Sequence, residues 1–90
     1  MFYRVDPARV LYRFVDGEAV LISADTSYYY SLNGVGTFIW KLLTEKSRTT
    51  PELLEAIQVE YSPPMDQAVR DLDKLLNELR TEGLVITEEK

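Results

Sequence analysis

Asp25-Thr26-Ser27-Tyr28-Tyr29-Tyr30-Ser31-Leu32-Asn33-Gly34-Val35-Gly36-Thr37-Phe38-Ile39-Trp40 is the stretch whose reading decides the fold. Asp25-Thr26 reads as a turn, and the tyrosine run over residues 27–32 suits a pleated, half-buried strand. Asn33 then supplies a good helix N-cap, because its side-chain oxygen accepts from the free N–H groups of the first turn. Val35, Phe38, Ile39, Leu42 and Leu43 recur at helical spacing, which predicts a helix over residues 34–45 with that face buried. The chain is sheet before this stretch and helix after it. The switch falls at Leu32-Asn33.

Working outward toward the N-terminus, residues 19–23 form a short apolar strand and Asp16-Gly17 matches the two-residue turn of tight hairpins. Residues 10–15 form the strand before it, with Arg13 as its only strongly polar residue. Residues 1–8 read as a lead-in, with Pro7 favouring an extended Asp6. The result is a three-stranded antiparallel meander with the tyrosine strand at one edge. Toward the C-terminus, Thr50 before Pro51 starts a second helix whose apolar face is Leu53, Leu54, Ile57 and Tyr61. Ser62-Pro63-Pro64 breaks the chain, and Ser62 is the expected cap of a third helix. Met65, Val69, Leu72, Leu76 and Leu79 line one side of that helix, with Leu75 at the margin. Gly83 ends it, Leu84 folds back on Leu79, and residues 84–87 form a short extended tail. This predicts one α+β domain over residues 1–90, close to a winged helix-turn-helix.

The 90 residues carry a net charge of −5 and contain neither cysteine nor histidine. Disulfides, thiolate chemistry, and the commonest general base and metal ligand are therefore absent. Clustered Lys or Arg, which nucleic acids and anionic membranes require, is absent too. The N-terminus lacks the pattern of a signal peptide, and no apolar run reaches membrane-spanning length, so a cytoplasmic protein is expected. Gly34-Val35-Gly36 is a partial dinucleotide-binding turn, but its third glycine would fall at Ile39 and no βαβ unit follows. The acids form no calcium loop. Read as a DNA-recognition helix, residues 65–82 carry five acids against three bases, a net of −2 and the wrong sign for phosphates.

The edge strand is the sharper signal. Residues 27–32 hold no Lys, Pro or inward charge, the usual guards of an exposed edge. An extended peptide can add there as a further strand, with backbone bonds for affinity and alternate side chains in pockets. The competing occupants are the C-terminal tail and a second copy of the chain.

The run Tyr30-Ser31-Leu32-Asn33-Gly34-Val35-Gly36, followed by Ile39-Trp40 and Leu42-Leu43, resembles the signature of the PqqD-like family. So do Thr50-Pro51-Glu52-Leu53-Leu54, Glu60-Tyr61, Asp71-Leu72, the segment 75–79 and Gly83-Leu84-Val85. The resemblance covers about residues 9–86. It implies a RiPP recognition element, a small winged-helix-like domain that binds the leader of a ribosomally made precursor peptide. It also implies that the leader joins the third strand and packs against the third helix. The standalone form is similar to the leader-binding subunit of lasso peptide biosynthesis, whose partner is a separate leader peptidase. Two alternatives stay open: a peptide chaperone of coenzyme PQQ-type biosynthesis with a radical SAM partner, and a winged-helix DNA-binding regulator.

The expectation is thus a non-catalytic adaptor without cofactor or metal, partnered by a precursor leader and a peptidase or other modifying enzyme. Its candidate site residues are Ser27, Tyr28, Tyr29, Tyr30, Ser31 and Leu32 on the strand. On the third helix they are Arg70, Asp71, Lys74, Leu75 and Glu78. Backbone groups of Tyr28, Tyr29 and Tyr30 are expected to carry the pairing.

Overall fold

The computed structural model describes residues 1–89. Along them run β1 (Phe2–Val5), β2 (Val10–Val15), β3 (Glu18–Ser23), β4 (Tyr29–Ser31), α1 (Gly34–Glu45), β5 (Arg48–Thr49), α2 (Thr50–Tyr61), α3 (Met65–Thr81) and β6 (Val85–Glu88). The meander is present as the antiparallel sheet β2-β3-β4. Asp16 and Gly17 both take positive φ, 51° and 81°, as a hairpin turn matched to strand twist requires. Along β3, Ala19, Leu21 and Ser23 are buried in alternation, so one face of this sheet points at the core.

A second antiparallel sheet, β5-β1-β6, replaces the expected lead-in. Phe2 to Val5 pair with Glu88 to Val85, and Arg4 Nε meets Glu88 Oε1 at 2.6 Å. The expected C-terminal tail is the third member of this sheet. It therefore does not cover the edge of β4. After β1, Ala8 N–H donates to Asp6 Oδ1 at 3.1 Å and Arg9 N–H to the Asp6 carbonyl at 3.0 Å, which turns the chain at Pro7.

Helix α1 begins as expected: Asn33 Oδ1 accepts from the Gly36 N–H at 2.8 Å. Its buried face is rotated from the expected stripe. Gly36, Thr37, Ile39, Trp40 and Leu43 are buried, whereas Val35 is 38% exposed and Phe38 and Leu42 are half-buried. Trp40 has the largest apolar surface in the helix, and burying it fully outweighs the smaller side chains left at the rim. Gly36 lies at the close approach of this helix to the strand, where a Cβ would stand 3.3 Å from Leu32 Cβ and 3.2 Å from Asn33 Oδ1. Trp40 centres a core with Leu21, Ile39, Leu43, Leu53, Leu76 and Leu84.

Two helix ends differ from expectation by a residue or more. Thr49, not Thr50, caps α2, and it forms a capping box in which Glu52 Oε1 accepts from the Thr49 N–H at 2.9 Å. Those bonds hold the Glu52 carboxyl below its ordinary range. Ser62 does not cap α3. It closes α2 in the left-handed region at φ 50°, with its hydroxyl donating to the Gln58 carbonyl, and Pro64 precedes α3 without a side-chain cap. Ser62 lies immediately after Tyr61, where the α2 carbonyls still need donors, and this demand is nearer than that of α3. Ala68, Leu72, Leu76 and Leu79 form the buried stripe of α3, and Met65 stays exposed. Gly83 at φ 74° closes the helix as expected: its N–H reaches the Arg80 carbonyl at 3.0 Å and the Leu84 N–H reaches Leu79 at 2.9 Å.

One hydroxyl ties β3, β4 and α1 together. Thr37 Oγ1 accepts from the Ala19 N–H at 2.9 Å and donates to the Leu32 carbonyl at 3.1 Å. Thr37→Val keeps the shape but leaves a buried donor without an acceptor, an expected loss of about 1–3 kcal/mol. Urea unfolding checks this, and a midpoint matching wild type would show that the hydroxyl is dispensable.

Candidate functional site

Strand β4 is an edge, and its register decides which backbone groups are free. Ser31, Tyr30 and Tyr29 face Val20, Leu21 and Ile22. On either side of these pairs, the Leu32 N–H donates to Ala19 at 2.9 Å and the Ser23 N–H donates to Tyr28 at 2.8 Å. Hydrogen-bonded and open pairs alternate in an antiparallel ladder, so Tyr28, Tyr30 and Leu32 turn their polar groups inward. Tyr29 and Ser31 turn theirs out. Of the three tyrosines expected to carry pairing, only Tyr29 has its backbone groups on the open side, joined there by Ser31, because the register runs on without a bulge. Ser27 is not part of the strand. It takes φ 61° in a turn where its N–H donates to the Ser23 carbonyl at 2.9 Å. Thr26 Oγ1 accepts from the Tyr28 N–H in the same turn, so local polar groups claim what the ladder would have used.

Side chains follow the same alternation. Tyr28, Tyr30 and Leu32 project to the inner face, where the rings of Tyr28 and Tyr30 stack with centroids 5.5 Å apart. Tyr29 and Ser31 project to the other face, and Tyr29 is 64% exposed.

Between the end of β4 and α3 lies a cavity of about 590 Å³. Ser31 and Leu32 form its strand side; Asp71, Lys74, Leu75 and Glu78 form its helix side. Arg70 is exposed on α3 and does not line it. The floor comes from residues that the sequence reading assigned to the core or to turns: Gly36 and Ile39 of α1, Ile57 of α2 and Leu72 of α3. Tyr61, 46% exposed and edge-on to Phe38 at 5.5 Å, stands at the rim with Pro63. The margin position of Leu75 was the signal that this face of α3 is available. Nothing in the local pattern marked the first turn of α1, because its role follows from how closely Gly36 lets the helix approach Leu32.

Beyond the cavity, Tyr30 reaches across to the C-terminal end of α3. Its hydroxyl is pushed up to about 12, first by desolvation, then by its hydrogen bond to the Glu82 carboxylate and by the charges of Glu82 and Glu78. The fold favours the neutral phenol, so this contribution is complete below the ordinary value of 10.0 and is lost as pH rises toward 12.

The family model for coenzyme PQQ synthesis protein D (PqqD) matches residues 18–85, well over half of the chain. The chain belongs to the PqqD family. The matched span of this PqqD-family chain starts at β3 and contains both walls of the cavity. Two solved structures are similar to it. The structure described as TbiB1 in complex with the TbiA(beta) leader peptide is 32% identical, with a TM-score of 0.82 over 97% of this chain and 99% of that one. The structure described as lasso peptide synthetase B1 complexed with the leader peptide shares the fold. It is 21% identical, with a TM-score of 0.78 over 94% of this chain and 98% of that one. No curated protein matches the chain. Among the described residues, no helix is long and apolar enough to cross a membrane.

Proposed function

We propose that this PqqD-family protein is a non-catalytic adaptor that captures the leader of a ribosomally made precursor peptide and presents it to a processing enzyme. The leader adds as a strand to β4, its backbone meeting the outward N–H and C=O groups of Tyr29 and Ser31. One of its apolar side chains fills the cavity between β4 and α3. The observation that carries this reading is the adjacency of the two features: an unpaired ladder edge borders a cavity of ligand size. Strand β2 is also an edge, but among the described residues it lines neither this cavity nor the one bordered by Asp6, Arg9 and Arg80. The complex of TbiB1 with a leader peptide supports a leader as the ligand, and the absence of Cys and His from the sequence agrees with a role in binding rather than chemistry.

Energetics divides the work between the two features. Two outward residues offer at most four backbone hydrogen bonds, roughly 2–6 kcal/mol at the usual net value for each. A micromolar complex needs about 8.2 kcal/mol. The ladder therefore sets register, and burial of one or two apolar side chains, about 1.5–3 kcal/mol each, completes the affinity.

The test is fluorescence anisotropy of a labelled leader peptide from the protein's cognate precursor. Saturable binding that a scrambled peptide fails to reproduce is expected. No binding up to about millimolar protein, where only about 4 kcal/mol is available, would refute the reading.

A further inference from the structure

We infer that the leader this groove accepts carries a basic side chain on the same face as its apolar anchor, two to four residues away, held by Glu78 and Glu82. The inference rests on the strand-addition reading above and adds the chemistry of the ligand.

The groove differs at its two ends. At the Leu32 end the surroundings are apolar: Leu32, Ile39, Leu72 and Leu75. At the Tyr30 end stands Glu78, with the Glu82 carboxylate near enough to the Tyr30 hydroxyl to raise it. Leu75, Glu78 and Glu82 are spaced by three and four residues, so they share one face of α3. Measured along the helix axis, Glu78 lies about 4.5 Å and Glu82 about 10.5 Å beyond Leu75. An extended peptide advances about 6.6 Å for every two residues and presents alternate side chains to one face. Its second side chain past the anchor therefore comes level with Glu78, and its fourth passes Glu82.

The charge at this end is not neutralised from within. Asp71, Lys74, Glu78 and Glu82 sum to −2 along the wall, and no ion pair among the described residues involves any of them. Arg80, the nearest base in sequence, borders a different cavity with Asp6 and Arg9. The C-terminal end of a helix is itself a partial negative charge and favours a cation. Tyr28, 64% exposed and stacked on Tyr30, adds an aromatic face beside the same spot. An acidic side chain placed level with Glu78 and Glu82 would meet like charge from both, with Lys74 as the one base on the wall.

Glu78→Lys and the double variant Glu78→Lys/Glu82→Lys test the assignment against the labelled leader. Binding at least tenfold weaker in both is expected, with recovery when the basic residue of the leader is replaced by Glu, and wild-type binding should weaken as NaCl rises. Glu78 has no hydrogen bond to Tyr30, so the single variant keeps that contact, and circular dichroism verifies its fold. A leader that binds wild type and both variants equally overturns this inference alone. A leader that binds none of them overturns the strand-addition reading and this inference with it.

Discussion

Tyr29→Pro is expected to weaken leader binding by a hundredfold or more while the protein stays folded. The Tyr29 N–H points away from β3, so removing it breaks no bond within the sheet, and proline is tolerated at the open side of an edge strand. A bound peptide, by contrast, loses a ladder acceptor's partner and meets the proline ring at the pairing edge. Tyr30→Pro differs in kind: it removes a donor that faces Leu21 and should unfold the sheet. Tyr12→Pro, on the opposite edge strand β2, serves as the control, because the Tyr12–Leu21 pair is an open one and the variant should bind normally. Anisotropy titrations alongside circular dichroism decide the matter. A folded Tyr29→Pro with wild-type affinity would place the peptide elsewhere, and loss of binding only in Tyr12→Pro would move it to β2.

The second large effect is on stability. Trp40 is fully buried within the core cluster and sits edge-on to Tyr12 at 5.5 Å. Trp40→Ala should cost about 3–5 kcal/mol. A domain of this size typically has about 5–13 kcal/mol in total, so much of the population would unfold at moderate temperature. Trp40→Phe should cost far less. The indole Nε1 is buried without a hydrogen-bond partner, and phenylalanine removes that unsatisfied donor along with part of the apolar area. Urea unfolding followed by circular dichroism measures both, since the variants lack the only tryptophan. A loss below about 1 kcal/mol in Trp40→Ala would mean that the core is held from elsewhere.

Features whose physics is local were legible in the sequence. Asp16-Gly17, Asn33 and Gly83 each perform the role their chemistry suggests, because a turn or a cap is decided within a few residues. Strand β1 was not legible, because Phe2-Tyr3-Arg4-Val5 shows no alternation and its partner β6 stands at the other end of the chain. Ser27 and Ser62 were misplaced for one reason. Each has two neighbouring sets of backbone groups to serve, and only the folded chain shows which set wins. On the helical wall of the cavity only Leu75 was marked by spacing; Asp71, Lys74 and Glu78 line it beside Leu75, and Arg70 does not. The floor was not legible, since Gly36 and Ile39 join it only through the close approach of α1 to β4.

The pairing of the first and last strands also orders how the molecule comes apart. Arg13 and Val20 are joined across seven residues, whereas Val5 and Val85 are joined across eighty. Closing the longer loop costs about 2 kcal/mol more in chain entropy. The β1–β6 ladder should therefore be the last to form and the first to open, and native-state amide exchange should find it less protected than Leu21 in β3. Equal protection would argue against this order. Because β6 begins just past Gly83, each such opening loosens the anchor beside Glu82. The acidic end of the groove would then be adjustable, while the apolar end, seated on Ile39 and Leu72, stays fixed.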